Sequence, residues 1–138
     1  MTRVFVDTSA LLALLDRADP RHLAVRDAFA GLRDAELLTH GYVVAESLAV
    51  ARRRFGVDGA LALLDDILPV VTILPVEPEL HLRVQRGYRE SLPSGVSFVD
   101  RMSFAVIERD SIDAALATDA DFRAAGVPVM PPTAEPAP

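Results

Sequence analysis

Four acids occupy positions where a solvated surface residue is not expected. Asp7 ends the β-branched and aromatic run Arg3 to Asp7 (RVFVD), and Asp119 directly follows the run Ala114 to Thr118. Glu46 has Tyr42, Val43, Ala49 and Val50 three and four positions away, so on a helix its carboxylate falls on the apolar stripe. Asp100 shares a helical face with Ser103, Phe104 and Ile107 by the same spacing. Each has a structural reading as well. Asp7 can cap the helix that follows it. Ser97 and Asp100 fit the S-x-x-D capping box. Asp121, two residues after Asp119, competes with it as the acid leaving that strand.

A charged carboxylate on an apolar stripe needs a partner to offset its desolvation. Two strand-end acids and two helix acids at one sheet edge would repel one another, and a hard divalent cation resolves that repulsion. Mg²⁺ or Mn²⁺ prefers oxygen ligands and is commonly held by one or two carboxylates plus substrate phosphate. Zinc is disfavoured, because there is no cysteine and His22, His40 and His81 show no paired ligand spacing. The histidines read as surface or packing residues, with His40 near the sheet edge.

The elements that must position these acids follow from hydrophobic period and punctuation. Short strands are expected at Arg3 to Asp7, Glu36 to Thr39, Val70 to Leu74, Ala114 to Thr118 and Val127 to Met130. Helices are expected after Asp7 to about Asp19-Pro20, from Arg21 to Leu32 (with Leu23, Phe29 and Leu32 facing inward), and from Tyr42 to Phe55 with Gly56 as its cap. Further helices run from Asp58 to Leu68, from Pro78 to about Leu92, and from Ser97 to Arg109. Phe122 falls in a turn. Strands alternating with helices predict the α/β class, a central parallel sheet of four or five short strands flanked by helices on both faces. Ligands of such sheets bind beyond the carboxyl ends of the strands, where Asp7 and Asp119 stand.

A chain of 138 residues suits one domain. It is expected over 1–130, with a Pro/Ala-rich, disordered tail over 131–138. The first apolar run is interrupted by Asp7, Thr8 and Ser9, against a signal peptide. Pro69 and Pro75 break the stretch Ile67 to Val76, which is too short to span a bilayer. A cytoplasmic protein without a membrane partner is expected. A net charge of −6 argues against a broad basic surface, and all 14 basic residues are Arg. Phosphate contacts would therefore come from guanidinium groups. Missing Lys also disfavours receiver domains and haloacid-dehalogenase-like phosphatases, which use one near the phosphate. The hydrophobic fraction of 51% hints at apolar surface for a partner.

Four segments in order, VDTSALLALLD, AESLAVA around Glu46, SFVDRMSFAVIER around Asp100 and LATDADFRAAG around Asp119, resemble the PIN domain family of nucleases. The likeness is greatest to the VapC toxins of bacterial toxin–antitoxin pairs. It covers nearly the whole chain except the tail. It implies helices around a parallel sheet, a four-acid site for one or two Mg²⁺ or Mn²⁺ ions, and cleavage of single-stranded RNA. By position Asp7, Glu46, Asp100 and Asp119 match the acids, with Thr8 or Ser9 and Ser97 as polar neighbours. The last motif departs from the pattern, because Ala117 stands where relatives carry Thr and Thr118 is shifted by one.

The expected function is phosphodiester hydrolysis in RNA. Asp7, Asp100 and Asp119 would hold the metal, and Glu46 would orient the attacking water or hold a second ion. Arg52, Arg53 and Arg54 after Glu46, and Arg101 beside Asp100, are candidate RNA contacts. Arg at a helix C-terminus also simply complements the helix dipole. A cognate antitoxin and a homodimer are the partners the resemblance implies. The alternatives are a housekeeping RNA-processing PIN nuclease and a PIN-like module that binds RNA or protein without cleaving.

Overall fold

The computed structural model describes residues 1–132. Val4, Phe5 and Val6 have no solvent exposure, which places their strand, β1 (Arg3–Val6), at the centre of the sheet. Around it lie β2 (Glu36–His40), β3 (Thr72–Leu74), β4 (Ala114–Leu116) and β5 (Val129–Met130), in the order β3-β2-β1-β4-β5 with every neighbouring pair parallel. The expected tail is described only through Pro132; residues 133–138 lie outside the described residues.

Parallel neighbours need crossovers, and right-handed crossovers fix which face each helix covers. From β1 to β2 to β3 the chain steps one way, carrying α1 (Thr8–Leu15), α2 (His22–Ala30) and α3 (Gly41–Ala62), and α1 packs on both α2 and α3. Steps from β3 to β4 to β5 run the opposite way with α4 (Pro78–Glu90), α5 (Phe98–Arg109) and α6 (Ala120–Ala124), and α5 packs on α4 and α6. The direction reverses between β1 and β4, which makes their carboxyl ends the topological switch point. Asp7 and Asp119 leave the sheet there.

Several boundaries differ from the expectation. Helix α3 continues through Gly56, which interrupts it as a kink at φ +72°. Beyond Ala62 it passes into a wider π turn over Leu63–Ile67 and a 3₁₀ turn over Leu68–Val70 containing Pro69, which delays β3 to Thr72. Phe122 lies on a short helix, α6, and not in a bare turn. Its buried ring meets Phe5 at 6.2 Å and Phe104 at 5.0 Å between centroids. On α2 Val25 is buried and Phe29 packs partly buried on the core, as does Leu32 just beyond the helix, whereas Leu23, expected inward with them, is 59% exposed.

Candidate active site

Asp7 is set by the strand before it and the helix after it. Its backbone N–H donates to the Leu116 carbonyl at 3.0 Å, holding the end of β1 against β4. Its carboxylate caps α1, accepting from the Ser9 N–H at 3.1 Å and the Ser9 hydroxyl at 2.6 Å. The Ser9 hydroxyl in turn accepts from the Thr118 N–H at 2.9 Å. One hydroxyl thus fixes the Asp7 carboxylate and the chain leaving β4 together. Thr8, also buried, accepts a hydrogen bond from Ser47 of α3 at 3.3 Å.

Asp100 enters from the other face. Ser97 caps α5, its hydroxyl accepting from the Asp100 N–H at 3.0 Å, so the capping residue fixes the turn while the carboxyl points toward the strand ends. Asp119 caps α6 in the same way, accepting from the Asp121 N–H at 2.9 Å. Capping and convergence coexist at all these positions. One carboxylate oxygen each from Asp7, Asp100 and Asp119 lies within 4.8 Å of the others. Glu46 and Asp121 line the same cleft without joining that trio, together with Thr8, Ser9, Leu12, Gly95 and Ser97.

Five carboxylates therefore share a cleft whose lining, among the described residues, contains no Arg and no His. Burial raises the Asp7 carboxyl to about 6; hydrogen bonds from Ser9 oppose the rise, and the charge of Asp119 adds to it. Asp100 is pushed further up, by burial first, then by the charge of Asp7 and a hydrogen bond shared with Asp119. Carboxylates that cannot ionise together at neutral pH lack a countercharge. Adjacent oxygens around an octahedral Mg²⁺ lie about 3 Å apart, so carboxylate oxygens within 4.8 Å of one another need to close by less than about 2 Å. Three hard oxygen donors, partly dehydrated and without an ion pair among the described residues, fit a divalent metal ion.

Other positions fall elsewhere. Glu46 is half-buried, but the inward stripe of α3 is Val43, Ser47 and Ala51; Ala49, expected on that stripe, is exposed. Arg52, Arg53 and Arg54 are exposed on α3 and do not line the cleft. Arg101 donates to the Ser94 hydroxyl at 3.0 Å and braces the loop that carries Gly95. Sequence reasoning left His40 as a packing residue near the sheet edge. The structure buries it fully at the end of β2, where its ring caps α3.

A PIN domain family model matches residues 4–128. The 23S rRNA-specific endonuclease VapC20 of Mycobacterium tuberculosis is 33% identical over 124 residues, 89% of this chain and 94% of the relative. Ribonuclease VapC26 of the same bacterium is 44% identical over 64 residues, 46% of this chain and 47% of its own. The crystal structure of VapC20, described as a sarcin-ricin loop cleaving toxin, is similar at TM-score 0.81 and 32% identity, covering 90% of this chain and 95% of that one. FitAcB from Neisseria gonorrhoeae shares the fold at TM-score 0.64 and 22% identity, over 91% and 95% of the two chains. The family match runs from the second residue of β1 to the residue before β5 and takes in every element that carries one of the acids, so the chain belongs to the PIN domain family.

Proposed function

We propose that this protein is a metal-dependent ribonuclease that hydrolyses phosphodiester bonds in RNA and acts as the toxin of a toxin–antitoxin pair. The observation that carries the reading is the convergence of Asp7, Asp100 and Asp119 at the switch point with no cation among the lining side chains. A relative that covers 89% of the chain and is named as a 23S rRNA-specific endonuclease supports RNA as the substrate class.

Asp7, Asp100 and Asp119 would hold Mg²⁺ or Mn²⁺ through their carboxylate oxygens. When bound, the ion supplies Lewis-acid activation of water and countercharge for the scissile phosphate. Glu46, which lines the same cleft outside the trio, would accept a proton from the attacking water or orient it. Ser9 holds the Asp7 carboxylate in one orientation, and Ser97 does the same for the first turn of α5. Asp121 adds negative charge to the cleft lining. Arg52, Arg53 and Arg54 would meet phosphates away from the scissile bond, which suits an acidic protein whose attraction for RNA is local. Arg101 would act through the loop it braces. No helix among the described residues is long and apolar enough to cross a membrane. A cytoplasmic location, a cognate antitoxin and a homodimer complete the proposal.

The test incubates purified protein with a panel of RNAs, including the sarcin-ricin hairpin of 23S rRNA, with Mg²⁺ or Mn²⁺ and with EDTA. Cleavage is expected with metal and lost with EDTA or Asp7→Asn. Cleavage that survives both chelation and Asp7→Asn overturns the metal-nuclease reading, and growth unaffected by induced expression in a sensitive host overturns toxicity.

A further inference from the structure

His40 stands beside the acid cluster and belongs to none of the motifs that mark it. Strand register places it: Phe5 pairs with Leu38, so two residues further along both strands His40 comes level with Asp7 at the rim of the sheet. Two backbone N–H groups, of Tyr42 and Val43, point at its Nδ1 from 3.2 and 3.4 Å. An atom that accepts from two donors carries no proton, so the proton of the neutral ring is on Nε2. That nitrogen lies 2.9 Å from the Ser103 hydroxyl, which donates its own hydrogen to the Val99 carbonyl at 3.0 Å. Every donor in this relay has an acceptor, and both His40 and Ser103 have no solvent exposure. Burial, with a smaller contribution from the positive charge of Arg109, pushes the imidazole down to about 4, in keeping with a ring held neutral.

Ser103 lies three residues after Asp100, on the same face of α5. Other side-chain hydrogen bonds that tie α5 to the rest of the chain are made by Asp100, to Asp119 within the cluster, by Arg101, to the preceding loop, and by Arg109 at the far end of the helix. Apolar packing through Met102, Val106 and Ile107 sets how closely α5 approaches the sheet, but such contacts are not directional. The His40–Ser103 bond is directional, and it acts one turn from the carboxyl that must meet Asp7.

We infer that His40 is a positioning residue for the acid cluster: by capping α3 with one ring nitrogen and holding Ser103 with the other, it fixes the rotation of α5 that brings Asp100 to Asp7 and Asp119. The same ring anchors the start of the helix that carries Glu46, so the helices bearing Glu46 and Asp100 are both held by one side chain. This inference rests on the reading of the cluster as a cation site.

The test uses three variants of the full chain. Ser103→Ala removes the bond to α5 and leaves the cap intact. His40→Asn retains an acceptor for the α3 N–H groups but is too short to reach Ser103. The double variant asks whether the two act as one unit. Mn²⁺ affinity is measured by calorimetry well below each melting temperature, and RNA cleavage is resolved into kcat and KM. Both single variants are expected to bind Mn²⁺ about 10–100-fold more weakly. Their kcat falls while KM for RNA stays unchanged, and the double variant is no worse than the weaker single. Single variants that bind Mn²⁺ within about twofold of the parent while only their melting temperatures fall overturn the inference and leave His40 a helix cap. A parent chain that takes up no Mn²⁺ overturns the cation site itself, and the inference with it.

Discussion

At the scale of single residues, Asp100 carries the sharpest consequence of the cluster. Without metal its carboxyl is held well above the ordinary range by burial and by Asp7, so an amide there relieves repulsion while keeping the size of the side chain. Asp100→Asn is expected to raise the melting temperature of the EDTA-treated protein near pH 8 by several degrees, about 1–3 kcal/mol. It is also expected to abolish the rise that Mg²⁺ gives the parent and to cut cleavage by about 100-fold or more. Thermal melts with and without Mg²⁺ check this; a metal-free variant less stable than its parent would mean that Asp100 serves the fold and not a cation. The acids that converge were legible because each sat against a local rule, at a strand end or on an apolar face. The choice between Asp119 and Asp121 was not, because only the path of α6 decides which side chain turns back toward Asp7. His40 was illegible for a different reason: its role depends on the pairing of β1 with β2 and on a residue 63 positions away, and an isolated His carries no pattern.

Among the elements, α3 shows how a sequence signal can be right in kind and incomplete in effect. Gly56 reads as a helix end, but its φ of +72° with ψ −161° is a kink in a backbone region essentially confined to glycine and not a left-handed cap. The chain resumes as a helix beyond it, because Leu63 is buried against the core and draws the second segment back along the first. Gly59 records how tight that return is: a Cβ there would lie 2.4 Å from Phe55 Cβ and 3.3 Å from the Ala51 carbonyl. At Gly56 a Cβ meets nothing within 4 Å, so only the backbone conformation resists a side chain. Gly56→Ala is expected to cost about 1–3 kcal/mol. Gly59→Ala should be net destabilising even though alanine favours helix by about 1 kcal/mol, because packed atoms must shift. Urea midpoints with unchanged slopes measure both effects, and kcat should stay at the parent value since neither residue lines the cleft. A Gly59→Ala variant more stable than its parent would show that the kink opens without strain. Short α6 escaped the sequence reading because five residues give no period to detect, whereas the long amphipathic α4 and α5 declared themselves.

For the whole molecule, the buried titratable groups pull stability in opposite directions with pH, and metal decides which wins. Asp7, raised from 3.8 to about 6, keeps a proton in the folded chain that the unfolded chain has already released, and Asp100 does so to higher pH still. Folded protein that binds more protons is stabilised as pH falls, so these two acids should add stability to the metal-free form from about pH 8 downward, Asp7 joining below about pH 6. His40 has the opposite sign. Its folded value near 4 lies below the unfolded 6.5, so its contribution is complete above 6.5 and is lost as pH falls toward 4. Between about pH 6 and pH 4 the loss from His40 offsets one of the two acids, so the metal-free curve should still rise on acidification, but less steeply than the acids alone would make it. Saturating Mg²⁺ inverts the upper limb, because ions bind the deprotonated carboxylates: at a hundredfold excess over Kd the ion adds about 2.7 kcal/mol near pH 8, an increment that shrinks as the acids take up protons. Melting temperatures taken from about pH 8.5 to pH 4.5, with EDTA and with Mg²⁺, should therefore converge on acidification. Parallel curves at every pH would mean that the cation binds away from Asp7 and Asp100, and that the buried negative charge of this acidic molecule is balanced by some other means.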